Sequence, residues 1–396
     1  MAGKIGRMAA VAATGLTLSA AGAFGADGGP VRLAFLSQAR EIPPALSNLD
    51  QPPSDEGLAG ATLGGADNAA GGRFLKQTYE LEKVAVEPEG DVDAAFATLL
   101  AAAHRIIALD LPGEAVARLA RRPDAADTLL INAAAPDDDL RGEKCSANLL
   151  HVAPSRAMQA DALAQYLEVK RWTKWFLAVG PRPEDKLYAD AVRAAAKKFG
   201  AKITAEKAWS GEHDARRTAQ AEIPVFTQGA GDYDVLIAAD EIGDFGDFLM
   251  YRTWSPRPVA GTQGLVPSAW SRAHEQWGAA QLQSRFLKQS GRRMTPRDWG
   301  AWAAVRVVGE AASKIKSADP KRLEAHIRSP EFNLAGFKGV PLNFRPWDGQ
   351  LRQPVLLSAE RSLVSVSPQD GFLHPKTPLD TLGADAAESK CKLAKK

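Results

Sequence analysis

The sequence predicts an α/β protein of two lobes, each a parallel sheet wrapped by helices, and three observations carry that prediction. Short β-rich runs alternate with longer helical runs from residue 31 to about residue 367, the pattern of repeated strand-helix-strand units. The chain has 396 residues, of which 45% are hydrophobic, 24% charged and 7% aromatic. These are ordinary values for a globular protein and argue against disordered, collagen-like and multispanning membrane classes. At roughly 150 residues per domain, such a length implies two domains or one large unit with two lobes.

Taken in order, residues 31–37 read as a fully buried strand, 60–74 as an alanine-rich helix, 79–86 as a strand of period 2 and 92–103 as a helix. A strand at 105–109, a helix at 114–121, a strand at 128–132 and a helix at 155–169 follow. Strands are predicted at 175–179, 202–209, 235–238 and 258–261, with a helix at 188–199 between the first two. Residues 272–289 read as helical, and Thr295, Pro296 and Asp298 form an N-terminal signature with the cap, a proline at the first position and an acid three residues beyond the cap. The helix they open, to about residue 315, carries Trp299, Trp302, Val305 and Val308 at helical spacing, an apolar stripe expected in the core. Residues 339–344 and 354–357 read as strands around a Trp347-Asp348-Gly349 turn, and order is expected to fade beyond Ser367. The glycines between Gly60 and Arg73 fit a close-packed helix ending in Gly71-Gly72 better than a phosphate loop.

Lys4 and Arg7 precede an apolar run from Met8 to about Ala23, and Ala21-Gly22-Ala23 has the small-x-small form of a signal-peptidase site. The run is shorter than the ~20 residues that span a bilayer. A cleaved leader of residues 1–23 is therefore expected, with Gly25 or Ala26 as alternative ends, and the protein is read as exported with no membrane insertion. The chain carries 49 Lys+Arg against 47 Asp+Glu; removing the leader takes away two basic and no acidic residues, so the mature net charge is zero. Such a balance lacks the basic excess of nucleic-acid and membrane-surface binders. Export also permits a disulfide between the only cysteines, Cys145 and Cys391, which would staple a polar tail, 368–396, too weakly apolar to dock alone.

Enzyme signatures are missing. There is no GxGxxG opening the first helix, no Walker A loop, HExxH, GxSxG or CxxC, and the histidines at 104, 151, 213, 274, 326 and 374 lack metal spacing. No catalysis is expected; a hydrolase would require a nucleophile-base pair that the sequence does not reveal.

The alanine- and glycine-rich stretch 60–73 resembles the first helix of the type I periplasmic solute-binding proteins, the branched-chain amino-acid receptor group. Further matches follow in the family's order: Ala153-Pro154-Ser155-Arg156, Tyr188-Ala189-Asp190-Ala191 leading to Phe199-Gly200-Ala201, Asp232-Tyr233-Asp234-Val235, and the segment 339–349. Coverage is about residues 31–365. Residues 345–354 and the C-terminal cysteine are most similar to the binding component of the ABC transporter found beside pyrroloquinoline-quinone (PQQ)-dependent alcohol oxidation, a group also linked with lanthanide uptake. The resemblance implies two Rossmann-like lobes joined by a three-strand hinge, lobe 1 from 31–150 plus 272–335 and lobe 2 from 151–271 plus 336–367. It further implies a monomer that captures a small ligand between the lobes and delivers it to an ABC permease. A sensor or accessory protein of a quinoprotein dehydrogenase, without transport, is the alternative.

Ligands of open parallel sheets bind beyond the carboxyl ends of the strands, and those ends are rich in acids here. Glu41, Asp50, Asp55 and Glu56 follow the first strand, Asp110 the third, Asp137, Asp138 and Asp139 the fourth, and Asp240, Glu241, Asp244 and Asp247 the strand at 235. Asp110, Asp137, Asp138, Ser155, Asp240 and Glu241 are the candidate ligand-binding residues. The slot where the amino-acid receptors present hydroxyls reads Asp110-Leu111-Pro112-Gly113, so an α-carboxylate facing it would be repelled. Converging carboxylates suit a hard cation, which makes Asp110, Asp137, Asp139, Asp240 and Asp244 a candidate set for Ca²⁺ or a lanthanide, with no other cofactor. Each acid also has an ordinary alternative role at a helix N-terminus, where negative charge is favoured. A small neutral metabolite of alcohol oxidation is the other candidate ligand.

Overall fold

Val31, Leu33, Ala34, Phe35 and Leu36 form a nearly unbroken apolar run, as a strand covered on both faces requires. In the computed structural model, which describes residues 29–40, 53–210 and 215–392 except for the side chains of 215–217, this run is β1 (Val31–Gln38). It is followed by α1 (Leu58–Leu75), β2 (Tyr79–Val86), α2 (Val92–Ala101), β3 (Ile106–Asp110), α3 (Gly113–Ala120), β4 (Leu129–Asn132) and β5 (Leu149–His151). The five strands make one parallel sheet in the order β2-β1-β3-β4-β5. The expected leader, Glu41 and Asp50 lie outside the described residues.

A second parallel sheet, in the order β7-β6-β8-β9, arises from α4 (Arg156–Val169), β6 (Lys174–Val179), α5 (Pro183–Phe199), β7 (Lys202–Ala208), α6 (Ala215–Thr227), β8 (Val235–Ala239), α7 (Gly246–Arg252) and β9 (Val259–Gly261). The chain continues through β10 (Val266–Ser268), α8 (Ala279–Ser290), α9 (Pro296–Ile315), α10 (Pro320–Ile327), β11 (Val355–Ala359) and β12 (Ser362–Ser367). β10, β11 and β12 form a small antiparallel sheet. Each large sheet has an apolar core on both faces: α1, α8, α9 and α10 cover one face of the first and α2 and α3 the other. In the second, α4 and α5 lie opposite α6 and α7.

The tryptophan stripe is core, since Trp299, Trp302, Val305 and Val308 are buried in α9. Its partner is α1, and small residues set how closely they approach: a Cβ on Gly60 would overlap the Asp298 carbonyl, and one on Gly309 would overlap Asn68. The capping box is present, with Thr295 Oγ1 accepting from Asp298 N at 3.2 Å and Thr295 N donating to Asp298 Oδ2 at 3.0 Å.

The structure departs from the sequence reading in three places. The helix expected from residue 272 begins at Ala279, because Gly278 adopts φ 82°, and turns occupy the residues before it. Residues 339–344 are not a regular strand. Only isolated bridges, Leu334 with Leu342 and Phe344 with Leu351, flank the 347–349 turn, and Pro341 and Pro346 deprive the segment of two ladder donors. Order also persists past Ser367, where residues 368–392 pack against α4 and the small sheet through Leu382.

The chain passes from one lobe's core to the other's after β5, after β10 and between Leu351 and Val355, and a buried polar network ties the first and third passages together. Gln350 donates to the carbonyls of His151 and Ala153 (3.3 and 3.1 Å) and accepts from Arg141 Nε (2.9 Å), while Gln353 donates to Val152 O (2.6 Å). Lys338, 4% exposed, donates to Gln353 Oε1 at 2.6 Å and forms no ion pair among the described residues. Burial pushes its amine well below the ordinary lysine range.

Candidate functional site

The carboxyl ends of both parallel sheets face a shared cleft. On lobe 1, Asp110 closes β3 with no exposed surface. A buried carboxylate needs a counter-charge, and Arg297, from the first turn of α9, supplies it: Nε lies 2.7 and 2.9 Å from the two oxygens, and Nη2 donates to Gln38 O at 3.1 Å. Burial pushes the Asp110 carboxyl up, and Arg297 and Arg40 oppose that shift. The carboxylate fits only because Gly57, at φ 80°, precedes α1; a Cβ there would overlap Asp110 Oδ2. Asp137, after β4, lies against Gly113 in the same way.

Lobe 2 repeats the arrangement of an acid over a glycine with different donors. Asp240, also without exposed surface, accepts from four backbone N–H groups: Gly243 and Asp244 on Oδ1 (both 3.1 Å), Phe245 and Gly246 on Oδ2 (2.8 and 2.7 Å). These donors belong to the turn that leads into α7, whose first residue is Gly246. Asp185, over Gly180, accepts from Arg182 N and Glu241 N (3.1 and 2.7 Å), and burial pushes its carboxyl up to about 6.

Arg156, at the start of α4, spans the lobes. Its Nε and Nη2 clasp Glu241 at 2.6 and 2.9 Å, and its Nη1 lies 3.3 Å from Asp137 Oδ1 on lobe 1. Nη1 is nevertheless buried without a hydrogen-bond acceptor, as is the hydroxyl of Tyr188, whose pKa is raised by burial and by Glu241. Arg40, just beyond β1, is exposed and has no ion-pair partner among the described residues; the charges acting on it are Arg297, Asp110, Glu56 and Glu241.

Of the expected ligand-binding residues, Asp137 and Glu241 meet at Arg156. Asp110 and Asp240 are occupied as described. Ser155 caps α4, accepting from Met158 N at 3.3 Å, and Asp138 accepts from Ala157 N at 3.0 Å. The five acids expected to surround a cation are not brought together. Asp139 pairs with Lys144 (2.6 Å) and Asp244 with Arg182 (3.0 Å), and among the described residues no group of three or more His, Cys, Asp or Glu converges. The argument that Asp110 would repel a carboxylate is likewise corrected, because Arg297 neutralises it. Arg40, Arg297 and Tyr188 escaped sequence reasoning. The available signal was position, since Arg40 lies two residues beyond β1 and Arg297 is the second residue of a capped helix. A groove of about 290 Å³ between α1 and the β1–β2 edge lies on lobe 1 away from the strand ends.

The profile of the periplasmic binding proteins matches residues 54–359. No match was found among curated proteins. Among solved structures, a periplasmic binding protein of Burkholderia mallei is 16% identical and superimposes with a TM-score of 0.66, over 93% of this chain and 100% of its own. A branched-chain amino-acid ABC transporter periplasmic ligand-binding protein of Burkholderia xenovorans gives 16% and 0.69, over 91% and 99%. A solute-binding protein of an R. palustris ABC transporter, solved with benzoate, gives 12% and 0.65, over 92% and 100%. The family and these neighbours are substrate-binding proteins rather than enzymes, and no helix among the described residues is long and apolar enough to cross a membrane. The two-lobed architecture and the match over most of its length place the chain in the type I periplasmic binding protein family, the small-ligand-binding components of ABC transporters.

Proposed function

We propose that the protein captures a small organic carboxylate between its lobes and delivers it to an ABC permease. The observation that carries this reading is the positive charge left over at the cleft: Arg40, exposed two residues beyond β1, has no ion-pair partner among the described residues, while the buried Arg156 Nη1 and Tyr188 Oη near Glu241 make no hydrogen bond. The strand-end acids already have partners, so the unmet demand in the cleft is for acceptors. A carboxylate meets it, and hydrogen bonds between ionised groups are roughly twice as strong as neutral ones. A free metal ion or an ammonium group would instead meet the like charge of Arg40. Structural neighbours support the same class: the B. xenovorans protein belongs to a branched-chain amino-acid transporter, and R. palustris proteins were solved with benzoate and 4-hydroxybenzoate, all carboxylates. Because Arg156 joins Asp137 to Glu241, a ligand that engages it favours the closed arrangement, and binding energy stabilises closure.

The finer placement, beside PQQ-dependent alcohol oxidation, rests on the resemblance of residues 345–354 and of the C-terminal cysteine, and the carboxylic acid that ends such an oxidation is a ligand of the proposed class. Lanthanide uptake is the competing placement, and a sensor without a transport role is the competing function; association with an ABC permease separates transport from sensing.

A thermal-shift panel tests the ligand class. At a hundredfold excess over Kd a ligand adds about 2.7 kcal/mol to stability. Aromatic and aliphatic carboxylates should raise Tm, whereas the matching amides and alcohols, Ca²⁺ and La³⁺ should not. A response to La³⁺ or to a neutral alcohol, with none to any carboxylate, contradicts the proposal.

A further inference from the structure

The chain beyond β12 is fastened to both lobes. Beside the third passage, Asp380 accepts from Arg345 Nε and Arg352 Nε at 3.0 and 2.7 Å. On lobe 2, Leu382 is fully buried with Met158, Ala162, Val355 and Leu357. Gly383 N donates to Asp161 Oδ2 at 2.9 Å, and the same oxygen accepts from Lys198 Nζ at 2.8 Å. Lys198 also donates to Gly383 O at 3.0 Å, closing the clasp.

The far end belongs to lobe 1. Cys391 is bonded to Cys145 with their Cα atoms 5.7 Å apart, and Lys390 Nζ lies 2.9 Å from Glu143. The loop that holds Cys145 is itself fixed to lobe 1: Ser146 Oγ donates to Ala120 O at 3.3 Å and Asn148 Nδ2 to Ala125 O at 2.9 Å. Between Gly383 and Cys391 the chain is not extended, because Ala387 N and Glu388 N both donate to Asp385 Oδ1 (2.8 and 2.9 Å). That turn stores slack, and the segment, about eight residues long, can span at most about 28 Å when drawn out.

We propose that residues 383–391 form a strap that limits how far the lobes open. The strap is a fourth, covalent crossing that runs beside the first and third passages, where Arg345 also holds Leu382 O and Ala384 O at 2.7 and 3.4 Å. Its length bounds how far its two anchors can part, and the motion stops when the 385–388 turn is drawn straight. This rests on the reading of the protein as a binder whose lobes open and close. It is tested without ligand, so its failure is separate from a failure of the carboxylate panel.

The experiment is single-molecule fluorescence transfer on the ligand-free protein, with dyes on click-reactive residues replacing exposed Arg73 of lobe 1 and Lys197 of lobe 2. The Cys145→Ala/Cys391→Ala variant should shift the distribution to lower transfer and broaden it. A second variant keeps the disulfide and inserts eight Gly/Ser residues between Ala386 and Ala387, a lengthening that surface segments tolerate. A limiter acts through length, so this insertion should widen the distribution as well. If the double-alanine variant fails to fold, the insertion decides the question alone. An unchanged distribution in the insertion variant overturns the proposal, because a disulfide that merely stabilises its loops is indifferent to strap length.

Discussion

At the cleft end of lobe 1, the buried Asp110 is neutralised by a guanidinium borrowed from α9, 187 residues away in sequence; in lobe 2, Asp240 is held by backbone N–H groups three to six residues ahead of it. Both acids lie against a glycine, Gly57 and Gly246, and both mark the carboxyl end of an inner strand, Asp110 as the last residue of β3 and Asp240 as the residue after β8. The difference teaches where each lobe is vulnerable. A backbone cradle is local, forms with its own loop and survives any side-chain change except that of the acid. A side-chain partner must be delivered by tertiary packing, and losing it strands a charge.

The largest expected effect follows from removing the acid of the local cradle. Asp240→Ala leaves four buried or half-buried N–H groups without acceptors, and should lower the unfolding free energy by about 4 kcal/mol, read from the urea midpoint at unchanged m. Arg297→Ala tests the other lobe: an uncompensated Asp110 should cost about 3 kcal/mol, and adding Asp110→Leu should recover part of it, since replacing both members of a buried pair costs less than breaking it. If Arg297→Ala is silent, the lobes do not differ as described.

Asp161 combines the two solutions, with one backbone and one lysine donor, and tests them by pH. Burial raises its carboxyl to about 6 from an ordinary 3.8, with Lys198 and Gly383 opposing the shift. Between those values the folded state holds a proton that the unfolded state has lost, so the group destabilises fully above pH 6 and the penalty is relieved as pH falls toward 4. The wild type should therefore gain about 2 kcal/mol relative to Asp161→Asn between pH 7.5 and 4.5. A constant difference across that range would show that the clasp is not proton-linked. The smallest stability change is expected at Arg40, where Arg40→Ala should leave the unfolding free energy within about 0.5 kcal/mol of wild type because the side chain is exposed and has no ion-pair partner among the described residues.

Much of the fold was legible in the residues. The buried run of β1, the period of β2, the capped start of α9 and its tryptophan stripe all carry local signals that the tertiary structure does not override. What escaped is short or contradictory: β5 and β10 have three residues each, and α6 contains Pro224. The tail escaped because its order comes from Asp380, Leu382 and Cys391 meeting distant partners rather than from its own apolarity. The site was half legible. Position along the strands located the acids, but their charge balance depends on Arg297 and on backbone N–H groups, and neither is visible in sequence spacing.

The central claim is that the cleft's unmet charge is positive. Calorimetric titration with the carboxylate giving the largest thermal shift, on wild type, Arg40→Ala and Arg40→Lys, tests it most directly. Wild type should bind in one-to-one stoichiometry, Arg40→Ala should lose at least tenfold in affinity, about 1.4 kcal/mol, and Arg40→Lys should recover part of that loss. Undiminished binding by Arg40→Ala, or tighter binding of the matching amide than of the acid by wild type, would contradict the account.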